Sequence, residues 1–117
     1  MPDLQKTIDS IKKLRDDRDW KQFHNPKNLA ISISLEANEL LEHFQWLNME
    51  QSENYANNPE NREELADEMA DILHYLLELS DNLGIDILKA SESKIKKAEE
   101  KYPVDKSKGR AVKYDKL

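Results

Sequence analysis

Residues 26–47 read PKNLAISISLEANELLEHFQWL and carry the apolar pattern that decides the fold class. At ~100° per residue, the apolar side chains fall on one stripe of a helix. Glu36 and Glu39 are one turn apart and lie at the edge of that stripe. The segment predicts a long amphipathic helix with two carboxylates beside its core-facing side. The stripe consists of Leu29, Ile33, Leu40, Phe44 and Leu47.

A second segment, ENREELADEMADILHYLLELSDNL at 60–83, repeats this arrangement. Its apolar stripe again has two acids at one edge, Glu68 and Asp71. When the first acid of each pair is set at zero on the wheel, the second falls at ~300° in both helices. The two pairs therefore occupy matching positions, and packing of the two helices would bring four carboxylates together. The second stripe consists of Leu65, Met69, Ile72, Leu76 and Leu79.

The rest of the chain also has helical signals. Each predicted helix has a recognisable start or stop residue, and a polar stretch at 48–59 separates the two long helices. We predict an all-α four-helix bundle, forming one domain over 1–117 with an irregular basic C-terminal tail at 102–117. The predicted helices run from a cap at Asp3 to about Asp16–Asp19, from Pro26 to about Leu47, from about Glu60 to Leu83 before Gly84, and from a cap at Asp86 to about Lys101.

Composition narrows the class of protein. The chain has 117 residues, of which 38% are apolar and 36% charged, so we expect self-association to complete its core. It lacks cysteine, which excludes disulfides and thiolate metal sites. No apolar run approaches the length of a membrane span, and the N-terminus has no signal-peptide core. We expect a cytoplasmic protein that does not bind membranes.

Charge is distributed unevenly. Residues 1–88 contain 8 Lys/Arg and 19 Asp/Glu, a balance of −11, whereas residues 89–117 contain 10 and 5, a balance of +5. The basic segment either contacts phosphate or is a solvated lysine-rich tail, and charge alone favours the tail. Because the acidic remainder would repel DNA, nucleic-acid binding is not expected.

The four acids have a structural and a functional interpretation. One such pair, taken alone, is more often part of a solvated face. Two converging pairs differ, because carboxylates ~5 Å apart repel by about 3 kcal/mol at an effective dielectric of 20. Oxygen ligands without cysteine favour Mg²⁺ or Mn²⁺. A di-iron site would need two Glu-x-x-His motifs, and only Asp71-x-x-His74 comes close.

Several aromatic residues flank or lie on the two helices that carry these acids. Trp20, Phe23 and His24 precede the second helix, Trp46 ends it, and Tyr75 follows Asp71 by one turn. They could stack on a nucleobase whose phosphates a metal holds, or they could cap the core. For Phe23 the core interpretation is favoured, and for Trp46 and Tyr75 the two remain open.

Four blocks of sequence stand out: DWKQFHNPKNL at 19–29, LEANELLEHFQW at 35–46, ELADEMADILHY at 64–75 and the tail motif beginning KYPV at 101. Together they resemble the MazG-like all-α nucleoside triphosphate pyrophosphohydrolases, particularly their dCTP pyrophosphatase branch. The resemblance covers nearly the whole chain, although Ala98 departs from a family pattern in which many relatives carry asparagine.

The resemblance implies hydrolysis of the α–β phosphoanhydride of a nucleoside triphosphate to a monophosphate and pyrophosphate. It also implies a homotetramer, a dimer of dimers. The implied Mg²⁺ ligands are Glu36, Glu39, Glu68 and Asp71, with Glu39, and then Glu36, as the general base. The implied substrate contacts are Trp20, Lys21, Gln22, Phe23, His24, Trp46, Tyr75 and Lys94.

We therefore expect a Mg²⁺-dependent nucleotide pyrophosphohydrolase acting on dCTP or a related or modified nucleotide. The same chemistry with dUTP or with a broad base preference is a second hypothesis. A non-catalytic helical oligomerisation module is a third hypothesis, from a different class.

Overall fold

The computed structural model describes residues 1–117 and is entirely helical, as predicted. It has six α-helices where the sequence predicted four. Short 3₁₀ helices lie at Lys21–Phe23 and Tyr114–Lys116. The chain divides into two compact units, Met1–Gly84 and Ile85–Leu117. The α-helices are α1 (Leu4–Asp17), α2 (Pro26–Glu42), α3 (Met49–Asn57), α4 (Pro59–Leu83), α5 (Ile87–Lys101) and α6 (Val104–Ser107).

Helices α2 and α4 form the centre of the first unit and pack along one another. Each begins with an asparagine cap followed by proline at the first helical position, where a missing N–H costs no hydrogen bond. The side chain of Asn25 accepts a hydrogen bond from the backbone of Asn28, 2.9 Å away. Helix α4 ends at Leu83, and the following Gly84 has a φ of +67°, the left-handed conformation that glycine adopts readily. Local capping thus defines the starts of both helices that carry the acids.

The connection between α2 and α4 differs from the prediction. Helix α2 ends at Glu42 rather than near Leu47, and α3 forms inside the stretch predicted to be an irregular break. The cause is a capping box, in which the Asn48 side chain accepts from the Gln51 backbone while the Gln51 side chain accepts from that of Asn48. Trp46 therefore lies in a turn, and its side chain is 85% exposed.

The apolar core within one chain is small. Four apolar residues are buried, while many on the same helices stay exposed, including Leu35 and Leu41 on α2 and Met69 and Leu73 on α4. Exposed apolar surface on this scale is typical of a surface that another molecule covers. No helix combines the length and apolar character required to cross a membrane. The buried apolar residues are Ile11, Leu29, Leu65 and Leu77.

The second unit contains more helix than predicted, because the tail expected to be irregular contains α6 and a 3₁₀ turn. The Tyr102 hydroxyl accepts a hydrogen bond from the backbone N–H of Tyr114 at 3.2 Å, and the two rings meet edge to face. The Lys101 ammonium lies 4.6 Å from the centre of the Tyr114 ring. These contacts order the tail through aromatic and cation–π interactions that helical periodicity does not reveal.

Candidate active site

Three acids from the two central helices converge. Glu36 and Glu39 on α2 and Glu68 on α4 each place a carboxylate oxygen within 4.8 Å of the other two. Asp71 lies one turn beyond Glu68, and its charge acts on Glu36. We call these four residues the acid cluster. The matching wheel positions predicted that all four would converge, and the structure brings together Glu36, Glu39 and Glu68 without Asp71.

The acid cluster has a marked excess of negative charge. Burial raises the pKa of Glu36 to about 7, and the neighbouring Glu39 carboxyl and the charges of Asp71 and Glu68 act in the same direction. Burial and Glu39 also raise the pKa of Glu68, an effect that the neighbouring His43 ring opposes. The Oε2 atoms of Glu36 and Glu68 are buried and have no hydrogen-bond partner. Unsatisfied acceptors among like charges are the environment that a divalent cation stabilises.

A cavity of about 300 Å³, which we call the inner cavity, opens beside Glu36 and Asp71. Apolar and aromatic side chains form part of its wall, and charged or polar side chains form the rest. This combination suits a flat, partly polar group such as a nucleobase. Its lining consists of Ile11, Leu14, Arg15, Trp20, His24, Glu36, Asp71, His74, Tyr75 and Glu78.

A second cavity, the outer cavity, has a volume of about 410 Å³ and is lined by Glu39, Glu42, His43, Tyr55 and Glu68. His43 contacts two of the other side chains that line the outer cavity. Its Nδ1 lies 2.6 Å from the Tyr55 hydroxyl, and its Nε2 lies 3.6 Å from Oε1 of Glu68. The acid cluster thus separates a partly aromatic cavity from a polar one.

The predicted substrate-binding residues fall into two groups. Trp20, His24 and Tyr75 line the inner cavity, where the His24 and Tyr75 rings meet edge to face with centres 6.4 Å apart. The remaining five do not line this cavity, and their roles stay predictions. Of these, Lys21, Gln22 and Phe23 form the exposed 3₁₀ turn, Trp46 lies in the turn after α2, and Lys94 is exposed on α5 in the second unit.

Sequence reasoning missed six polar residues at these cavities, although some signals were present. They are Arg15, Glu42, His43, Tyr55, His74 and Glu78. On the α4 wheel Glu78 falls at ~280°, close to Asp71 at ~300°, and on the α2 wheel His43 falls at ~340°, beside Glu36. Arg15 follows Ile11 by four residues and therefore continues the apolar stripe of α1. Tyr55 could not have been placed, because α3 was not predicted.

Known proteins resemble this chain in sequence and in structure. The sequence profile of the MazG-like family matches residues 31–117. The dCTP pyrophosphatase 1 of Rattus norvegicus is 36% identical in an alignment of 115 residues that covers 95% of this chain and 68% of the relative. The Homo sapiens protein of the same name is 32% identical over the same shares. The crystal structure of a pyrophosphatase from Archaeoglobus fulgidus superposes with a TM-score of 0.77 at 41% identity, covering 85% of this chain and 91% of that one.

Proposed function

This chain belongs to the MazG-like family, and we propose that it is a Mg²⁺-dependent pyrophosphohydrolase of dCTP or a related nucleotide. The nucleotide pyrophosphatase activity rests on the family and on relatives of that name. The identity of the metal ion and the identity of the nucleobase are our own proposals. The observation that carries them is the acid cluster, which lies between an aromatic cavity and a polar one.

The acid cluster fits a hard divalent cation. Its donors are carboxylate oxygens, and the buried Oε2 atoms of Glu36 and Glu68 have no other partner. We propose that Glu36, Glu39, Glu68 and Asp71 hold Mg²⁺, with Mn²⁺ as a substitute. When bound, the cation would neutralise phosphate charge and make a coordinated water more acidic.

The protein's own side chains would then have separate roles in proton transfer and in binding the nucleobase. Glu39 is exposed and borders the outer cavity, where it can accept a proton from an attacking water. Glu36 faces the inner cavity and is second choice for that role. In the inner cavity Trp20 and Tyr75 offer ring faces and edges to a base, and His24 offers a ring nitrogen. Attack at the α-phosphorus would release the monophosphate and pyrophosphate.

We also propose the homotetrameric assembly implied by the family resemblance. The exposed apolar side chains of α2 and α4 support it, because an isolated chain would leave them in water. Trp46 is exposed and does not line the inner cavity of its own chain, and we propose that it meets the base bound by a neighbouring subunit. Light scattering coupled to size-exclusion chromatography would test the mass, and a monomer at micromolar concentration would contradict this assembly.

The decisive experiment is a panel of nucleoside triphosphates assayed for pyrophosphate release with and without Mg²⁺. We expect dCTP to be hydrolysed and EDTA to abolish turnover. Asp71→Asn should lose activity, while Asp67→Asn, the same change at an exposed position one turn earlier on α4, should retain it. Correctly folded protein that releases pyrophosphate from none of the panel would overturn the proposal.

A further inference from the structure

Three polar residues form a connected network at the wall of the inner cavity. Oε1 of Glu78 on α4 lies 2.6 Å from Nδ1 of His24 and 3.6 Å from Nη1 of Arg15 on α1. Arg15 also donates from Nε to Asp16 at 2.8 Å. Glu78 is 4% exposed and Arg15 is 6% exposed, which makes them two of the three buried polar or charged residues of the chain.

Burying this ion pair costs more free energy than burying an apolar pair of similar size would. Removing two charges from water carries a desolvation penalty of several kcal/mol per ion, and well-packed apolar residues often stabilise a fold as well. The network also lies within the lining of the inner cavity rather than at an ordinary helix contact. Its placement is therefore better explained by recognition of a ligand than by stability.

Glu78 also lies at a suitable distance from the acid cluster. It follows Asp71 by seven residues, which places both on one face of α4 about 10 Å apart along the axis, with Tyr75 between them. This is the length scale of a nucleoside. A nucleotide whose phosphates meet the acid cluster can therefore place the outer edge of its base against Glu78 and Arg15.

We propose that Glu78 and Arg15 select the base by reading its hydrogen-bonding edge, a role that rests on the proposed nucleotide substrate. Oε1 of Glu78 is engaged by His24 at 2.6 Å, which leaves Oε2 to accept a hydrogen bond from an amino group of a ligand. The guanidinium of Arg15 can donate to a carbonyl oxygen or ring nitrogen. Cytosine offers an amino donor beside such acceptors.

The same pair would reject a base that carries a carbonyl in place of the amino group, as uracil does. Its oxygen would face the Glu78 carboxylate, leaving two acceptors opposed without a proton between them. A site that contains a buried polar group rejects ligands that cannot satisfy it far more strongly than an apolar pocket does. Glu78 thus acts as a specificity-determining residue, and it also positions His24.

The test is Glu78→Gln, which preserves shape and can still accept from His24 Nδ1 but can turn an amide donor toward the cavity. Arg15 keeps Asp16 as a partner, so the fold should survive. We expect wild type to favour dCTP over dUTP in kcat/KM, and the variant to reduce that ratio by about tenfold or more. Glu64→Gln, at an exposed position on the same helix, should leave the ratio unchanged.

Binding of dCMP and dUMP by calorimetry gives a second readout that needs no turnover. The same loss of discrimination is expected in the two dissociation constants. If Glu78→Gln leaves the ratio of the two dissociation constants unchanged within about twofold, or weakens both nucleotides equally, the inference is overturned and Glu78 is a structural residue. Absence of hydrolysis with intact binding selectivity would instead overturn the proposed function alone.

Discussion

The carboxylates of Glu36 and Glu68, contributed by α2 and α4, each keep a buried Oε2 atom without a hydrogen-bond partner. These atoms belong to residues whose pKa values burial raises, so the folded chain holds charge that it does not compensate by itself. Such sites favour whatever neutralises them, either protons or a cation. Metal binding and pH should therefore act on the stability of this protein through the same residues.

The first prediction concerns the metal. Mg²⁺ or Mn²⁺ should raise the melting temperature, because a ligand at about 100 times its Kd adds roughly 2.7 kcal/mol to the free energy of unfolding. Glu68→Gln should abolish most of this shift, since it removes a carboxylate whose buried Oε2 has no hydrogen-bond partner within the chain. Differential scanning fluorimetry with a Mg²⁺ titration measures the effect. Glu64→Gln is the control on the same helix, and an unchanged shift in Glu68→Gln would contradict the ligand assignment.

The second prediction concerns pH in the absence of metal. The pKa of Glu36 is about 7 in the folded chain against an ordinary value of 4.5, so the folded state binds this proton more tightly than the unfolded state. The stabilising contribution of the proton is complete below about pH 4.5 and is lost as pH rises through 7. We expect the free energy of unfolding to fall by about 1–3 kcal/mol over that window.

Urea unfolding in EDTA at several pH values between these limits would measure this loss. Glu36→Gln has no proton to lose and should flatten the dependence, whereas the exposed Glu63→Gln should retain it. Saturating Mg²⁺ should also flatten the curve, because the cation replaces the proton as the neutralising group. A wild-type curve that rises over this interval would show that the acid cluster is not repulsive.

Sequence pattern predicted the two long helices and the convergence of Glu36, Glu39 and Glu68 because both depend on a local period of 3.6 residues. It failed at α3, where a reciprocal contact between Asn48 and Gln51 starts a helix that apolar periodicity does not mark. It also missed the pairing of Glu78 with Arg15, since a long-range ion pair joins positions 63 residues apart that no local pattern connects. The wheel could place Glu78 at the cavity edge but could not identify its partner.

The third prediction tests the inner cavity as the base site. Trp20→Leu keeps an apolar side chain but removes the aromatic face, and stacking of a base on an aromatic ring is worth about 1–3 kcal/mol. We expect KM for dCTP to rise by about tenfold or more, with a smaller change in kcat. Phe23→Leu is the matched control, because Phe23 does not line the cavity. Equal effects of the two changes would contradict a stacking role for Trp20.

The last prediction separates the two acids of α2. If Glu39 accepts the proton of the attacking water, Glu39→Gln should lower kcat by about 10²–10⁴-fold, the usual contribution of a general base. Because Glu36 and Glu68 keep their buried oxygens, much of the thermal stabilisation by Mg²⁺ should remain. Glu36→Gln should instead weaken both metal stabilisation and turnover, since it removes a carboxylate whose buried Oε2 has no hydrogen-bond partner. Steady-state kinetics at saturating Mg²⁺, combined with melting curves on the same preparations, distinguish the two. If Glu39→Gln turns over normally while Glu36→Gln loses kcat at undiminished metal affinity, the base is Glu36 and the two roles are exchanged.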